Sequence, residues 1–192
     1  MPRVPHVRRE DLAVEDQAIY DEIAELRGQV VGPFSVLMYS PLLAKGVHEI
    51  GRYVRYEAPI PARQRHLLAL IAARELDCQY EFTVHANLAR QHGIPDEVVE
   101  AIGRDELPSG LPEVEALLVA FVRQLVVEHK VDDATFEAFL KAVGMRHLTD
   151  IVGAVGYFSM AAFPLNAFDV EVRAEHTPLM PPRPRPVPGA RR

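Results

Sequence analysis

The sequence predicts an all-α fold, and three observations lead there. Apolar residues recur at spacings of three and four in one segment after another. Glycine and proline fall between those segments rather than inside them. No stretch alternates apolar and polar residues as a half-buried strand does. With 192 residues, 48% of them apolar and 25% charged, the chain is long and apolar enough for one domain with a real core.

Residues 1–14 carry little periodicity and read as an arm. The helical domain spans residues 15–171 and contains about seven helices. Its first helix runs from Glu15 to Leu26, with Ile19, Ile23 and Leu26 on one face. Ser40–Pro41 has the form of a cap followed by a first-turn proline, opening a helix to Tyr56. That helix is expected to bury Leu42, Leu43, Val47, Ile50 and Val54.

From Ala62 to Leu76 the chain is apolar nearly all round, which marks a central helix. Asp77–Cys78 turns it into a second helix, Gln79 to His92, and Gly93 ends that one as a left-handed cap. Pro95 opens the next. Val114, Leu117, Leu118, Phe121, Val122 and Leu125 form an apolar stripe that suggests cover from another subunit. Asp132–Asp133 cap a further helix, and a last long one starts near Met145 and is kinked or ended by Pro164. Residues 172–192 form a tail rich in proline and arginine, expected to be extended.

The totals exclude several function classes. A net charge of −6 offers no basic stripe for a nucleic acid. The single cysteine makes no internal disulfide. The N-terminus has no signal-type apolar run, and the nearly uncharged stretch 151–165 is too short to span a bilayer. The expected protein is soluble and cytoplasmic, with no membrane or nucleic-acid partner.

The chemistry-bearing stretch is Arg63 to Gly93. Cys78, Glu81 and His85 stand at i, i+3 and i+7, on one helix face. Cys78 falls at a helix start, where the dipole favours a thiolate. Glu81 and His85 are i, i+4 neighbours able to hydrogen-bond, so the carboxylate can fix the imidazole tautomer and equip it to move a proton. The same spacing suits an ordinary surface pair beside a packed cysteine. His66, Cys78, Glu81, His85 and His92 include metal-ligand types, but in no recognised ligand spacing, so no metal is expected.

RQRHLLALIAARELDCQYEFTVHANLARQHGIPDEVVEAI resembles the signature region of the carboxymuconolactone decarboxylase family, whose superfamily includes the AhpD-type alkylhydroperoxidase partner proteins. The matching features are an arginine-led apolar helix, Cys78-Gln-Tyr80-Glu81, His85, and the Ala89…Gly93-Ile-Pro break. The likeness extends over roughly residues 35–171. It implies an AhpD-like helical fold, a homo-oligomer (trimer or hexamer), and sites near subunit interfaces. The family's redox branch carries Cys-x-x-Cys, but here the second position is Glu81, so a dithiol cycle cannot close within one chain. Where the family places a glutamate in the first helix of the pair, this chain has His66.

The resemblance implies a cofactor-independent, decarboxylase-like lyase acting on a small carboxylated lactone or carbonyl compound. His85, polarised by Glu81, is the candidate proton donor, with Cys78 and His66 beside it. Arg63 and Arg74 are candidates to hold a carboxylate, and Tyr80, Tyr157 and Asn166 to line the pocket. The alternatives are a thiol redox protein and a non-catalytic small-molecule-binding oligomer on the same scaffold.

Overall fold

The structure, a computed structural model, describes residues 2–172 and 176–183. Eight α-helices make up the described chain, with no strand among the described residues: α1 Val14–Arg27, α2 Phe34–Leu37, α3 Pro41–Arg52, α4 Ala62–Glu75, α5 Gln79–Gln91, α6 Asp96–Gly103, α7 Glu113–Arg123 and α8 Asp133–Ala167. A π-helical turn prolongs α3 over Tyr53–Glu57 and another prolongs α7 over Gln124–Glu128.

α4 is the axis of the fold. Every residue from His66 to Arg74 is buried, and α5, α6, α7 and α8 all pack on it. The all-round apolarity of its sequence is therefore matched by neighbours on all sides. α4 passes into α5 through Asp77, at φ 50°, with Cys78 N–H bonded to Ala73 C=O and Asp77 N–H to Arg74 C=O. That crossed pair of bonds satisfies carbonyls left open at the helix end and reverses the chain tightly, laying α5 along α4. Gly93, at φ 76°, ends α5 in the same way, as its position in the sequence predicts.

α8 is longer than expected because two helices join across Gly144, whose φ of 80° and ψ of 161° break the helical path. The predicted start near Met145 is thus a kink inside one run. Asp132 caps that run by accepting the Thr135 N–H at 2.8 Å. Pro164 lies inside the helix and its last turn ends at Ala167. α8 is long and apolar enough to cross a membrane by composition, but here it is a core helix packed on α4 and α7.

Two expectations about burial are corrected. Leu42, Leu43 and Ile50 are not core residues: they are 78%, 53% and 45% exposed. α3 instead turns inward the stripe Ala44, Val47, His48 and Gly51, whose small members let it approach its neighbours closely. The apolar stripe of α7 needs no second subunit, since Leu118, Phe121 and Val122 are buried within this chain against α4 and α8.

Both arms lie on the helical body. Arg3 bonds Asp169 and the Ala167 carbonyl, while Val7 is buried and its N–H meets Ser35 C=O. At the other end, Met180 is buried and Arg183 reaches Glu75 at 2.6 Å and Asp105 at 3.1 Å. This described part of the tail forms no helix or strand; the rest of the tail expected to be extended lies outside the described residues.

Candidate functional site

The α4–α5 pair brings His66 and His85 together from positions 19 residues apart. Their Nδ1 atoms are 3.0 Å apart, and both rings are buried. On the far side of His85, Nε2 stands 3.2 Å from Glu81 Oε2. This last contact is within ion-pair range but is not aligned as a straight hydrogen bond, and both atoms lack a hydrogen-bond partner. The His66 ring stacks on exposed His92, with centroids 4.9 Å apart, and Phe158 of α8 meets the His85 ring edge-on. The result is a line of ionisable groups that runs from Glu81, at the wall of a cleft, through buried His85 and His66 to exposed His92.

Proton positions follow from this line. An Nε2–H on His85 facing the Glu81 carboxylate leaves His85 Nδ1 as an acceptor, and His66 must then donate its Nδ1–H. Burial lowers the basicity of both imidazoles, and the His66 pKa falls to about 3. Nearby positive charge from Arg55 and Arg65 adds to the effect on each ring, while Glu81 opposes it at His85. Burial alone would raise the Glu81 pKa. Its contact with His85 and the charges of Arg55 and Arg27 outweigh that, so the carboxyl lies below its ordinary range. At neutral pH the site therefore holds a carboxylate behind which stand two neutral imidazoles.

Glu81 is buried as well, but it, and not His85, reaches a cleft. It shares the wall of a cleft of about 280 Å³ with Arg27, Arg55, Tyr56, Tyr80 and His176. His85 is wholly buried behind it. A proton from His85, the donor expected from the sequence, has to pass Glu81 to reach that cleft.

Cys78 is also placed differently from its expected role. It holds the N-cap position of α5, yet it is 0% exposed, and burial, with the Glu81 charge adding to it, pushes the thiol up to about 12. Two backbone hydrogen bonds act the other way and do not offset this. Arg63 is committed to structure. It grips Glu115 with two bonds of 2.6 and 3.0 Å and also donates to the Gly93 carbonyl. Arg74 is buried and donates to the Pro181 carbonyl at 2.8 Å, fastening the tail.

Tyr80 lines the cleft opposite Gly32, where an added Cβ would stand 3.1 Å from the Tyr80 ring. Asn166 is exposed, donates to the Leu76 carbonyl and lines a different, larger hollow with Asp77 and Gln79. Tyr157 is buried, and its hydroxyl receives Arg55 Nε at 3.3 Å and Arg27 Nη2 at 3.4 Å. Arg27, Arg55 and Phe158 were not singled out from the sequence. No group of three or more His, Cys, Asp or Glu among the described residues could hold a metal ion.

Residues 41–122, which hold α3 to α7, match the sequence profile described as the carboxymuconolactone decarboxylase family. No curated protein shows a significant sequence match to the chain. Solved structures share the fold at low identity. One is an uncharacterized peroxidase-related protein with an alkylhydroperoxidase AhpD core, from Ralstonia eutropha JMP134, at TM-score 0.75 and 16% identity, covering 91% of this chain and 93% of that one. Another, an uncharacterized peroxidase-related protein from Silicibacter sp. TM1040, gives TM-score 0.71 and 18% identity over 91% and 95% of the two chains. The debrominase Bmp8 gives TM-score 0.71 and 16% identity over 89% and 92%. A second Bmp8 structure holds 2,3,4-tribromopyrrole. At these identities the likeness is one of fold, and the shared AhpD-like fold covers nearly the whole chain.

Two predictions come from this geometry. Cys78 should resist a soluble thiol reagent in the folded protein and react fully once denatured; rapid native labelling would contradict its burial. The second concerns acid. The folded chain keeps His66 neutral down to about pH 3, whereas an unfolded histidine takes a proton near its ordinary 6.5. Between those values the unfolded state binds more protons, so stability is lost as pH falls through 6.5 toward 3. Thermal melts from about pH 7 to about pH 4 should show Tm falling, with a shallower slope in His66→Asn.

Proposed function

We propose that this protein is a cofactor-independent enzyme that moves a proton on a small carbonyl or carboxylated lactone substrate, with decarboxylation as its leading reaction. The observation that carries the reading is the buried Glu81–His85–His66 line, open to a cleft only at Glu81. A carboxylate backed by two neutral imidazoles can accept a proton from substrate or deliver one to it.

For decarboxylation the balance is simple. The substrate's carboxylate carbon–carbon bond breaks, carbon dioxide leaves, and the electron pair passes into the conjugated carbonyl as an enolate. One proton must then reach carbon. A proton taken up at His66 Nε2 lets its Nδ1–H pass to His85 Nδ1, and His85 Nε2–H pass to Glu81, which gives it to the enolate. Each imidazole changes tautomer and neither needs to hold a lasting charge, in keeping with their lowered basicity. The same groups run backward would remove a proton alpha to a carbonyl.

The fold shared with Bmp8, which holds a tribromopyrrole, supports a small planar ring as occupant. Nothing at Cys78 favours a thiol redox reaction here, since its thiol is buried and weakly acidic.

Carbon dioxide release from carboxymuconolactone is the direct test. The parent should turn it over, and Glu81→Gln and His85→Asn should each lose about a hundredfold or more. A folded parent that neither releases carbon dioxide nor exchanges deuterium into small carbonyl acids would sink the reading and favour a binding protein.

We also propose a homo-oligomer. Leu42, Leu43 and Ile50 stand exposed on α3, with Tyr39 just before it and Tyr53 just after, and Met145, Val152, Met160 and Phe163 stand exposed on α8. The Tyr53 hydroxyl on Asp150, at 2.8 Å, joins the two helices there. Exposed apolar residues concentrated on two adjoining helices suit a second copy of the chain. Assembly on this face would also cover the turn that carries Arg55 and Tyr56. Light scattering should give a multiple of the chain mass, and Leu42→Glu with Leu43→Glu should lower it; a monomeric parent would refute the proposal.

A further inference from the structure

Arg27 and Arg55 come from different parts of the chain, the end of α1 and the π-helical turn after α3, yet converge on one phenol oxygen. Tyr157 Oη receives both, and both guanidiniums line the cleft that reaches Glu81. Neither makes a salt bridge with any described residue. Arg27 Nε is buried without a partner. The Glu81 charge and the Tyr157 oxygen favour the Arg55 cation from nearby, but no carboxylate among the described residues pairs with either guanidinium, so an anion reaching the cleft would find two cations without an ion-pair partner.

Their faces are already occupied. Arg27 Cζ lies 4.3 Å over the Phe34 ring, and Arg55 Cζ lies 5.8 Å from both the Tyr157 and Phe158 rings. Stacking of this kind fixes a planar guanidinium while leaving its edge N–H groups for a carboxylate. Gly51 gives an independent sign that this place is built. A Cβ added there would stand 2.6 Å from both Arg27 Nη2 and Tyr157 Oη, so no side chain fits beside them. Glycine inside α3 lowers helix stability by roughly 0.5–1 kcal/mol relative to alanine, and this close approach accounts for its presence.

Charge sets the class of ligand. The two arginines and the ionised Glu81 leave the cleft one positive charge in excess, which matches a single carboxylate. The cleft volume of about 280 Å³ admits a small ring and little more. We propose that Arg27 and Arg55 form the seat for one carboxylate of a small planar acid, presenting its ring toward Glu81. The inference rests on the reading of Glu81 as the proton-transfer group for the direction in which the ligand points. The seat itself does not depend on turnover.

The test is direct binding, by calorimetry and by Tm shift, of benzoate and of its neutral isostere benzamide to the full chain. Benzoate should bind the parent more tightly than benzamide by about tenfold or more, since charged hydrogen bonds carry the difference. Arg27→Gln and Arg55→Gln should each remove that preference, and Gly51→Ala should weaken benzoate through displacement of the pair. Equal binding of the two probes, no benzoate binding by folded parent, or a preference untouched by both arginine variants would overturn the seat. Should a Gln variant fail to fold, Arg55→Lys keeps the charge without the fork and must still reduce the preference. Benzoate binding without any turnover in the parent would sink the proposed reaction and leave the seat standing.

Discussion

The structure depends on keeping three ionisable groups inside an apolar helix pair without stranding a charge. α4 and α5 bury Glu81, His85 and His66 together, and burial of an isolated carboxylate there would be prohibitive. The arrangement is tolerable because the imidazoles are neutral, because each ring has a neighbour at Nδ1, and because Arg55 and Arg27 stand close enough to favour the Glu81 charge. Remove the arginines and the carboxylate would tend to take up a proton. The relay and the cationic cleft are therefore one electrostatic unit, assembled from α1, the turn after α3, α4, α5 and α8.

That unit explains otherwise unrelated features of the scaffold. The tight reversal at Asp77 fixes α5 against α4 in the register that puts His85 opposite His66. Arg63, tied to Glu115 and the Gly93 carbonyl, locks the other end of the same pair. The tail fastens α4 and α5 from outside, through Arg74 on Pro181 and Thr83 on Leu179. Arg63 and Arg74 are in this way committed to holding the helix pair together. A proton line works only if its atoms stay within hydrogen-bond reach.

The sequence made the helix pair legible because its signals are local. All-round apolarity marks α4, a left-handed glycine ends α5, and the i, i+4 spacing joins Glu81 to His85. His66 was marked as a candidate by its place in the resemblance, and the structure sets it 3.0 Å from His85. What could not be read was tertiary. Arg27, Arg55 and Tyr157 are separated by 28 and 102 positions in the chain, and no periodicity connects them. Arg63 and Arg74 drew attention only because they flank the motif. The face of α3 was misread for a related reason: helical spacing fits either stripe, and the larger leucines pointed to the wrong one. Gly51 and Ala44 were the quieter indication, because a helix that must come close to its neighbour puts small residues between them.

Cys78 shows how far a shared position can part from a shared role. A cysteine at a helix N-terminus is acidified only if the dipole acts on a partly solvated sulfur. Here the helix start is sealed by α4, so desolvation dominates and the backbone hydrogen bonds near the sulfur do not compensate. The Glu81 charge one helical turn away adds to that penalty, because a thiolate and a carboxylate would have to be buried side by side. Replacing a second thiol by a carboxylate at position 81 therefore does more than remove a resolving group. It leaves the remaining thiol a poor nucleophile and gives the neighbouring histidine a fixed negative partner, which is the layout the proposed proton transfer calls for.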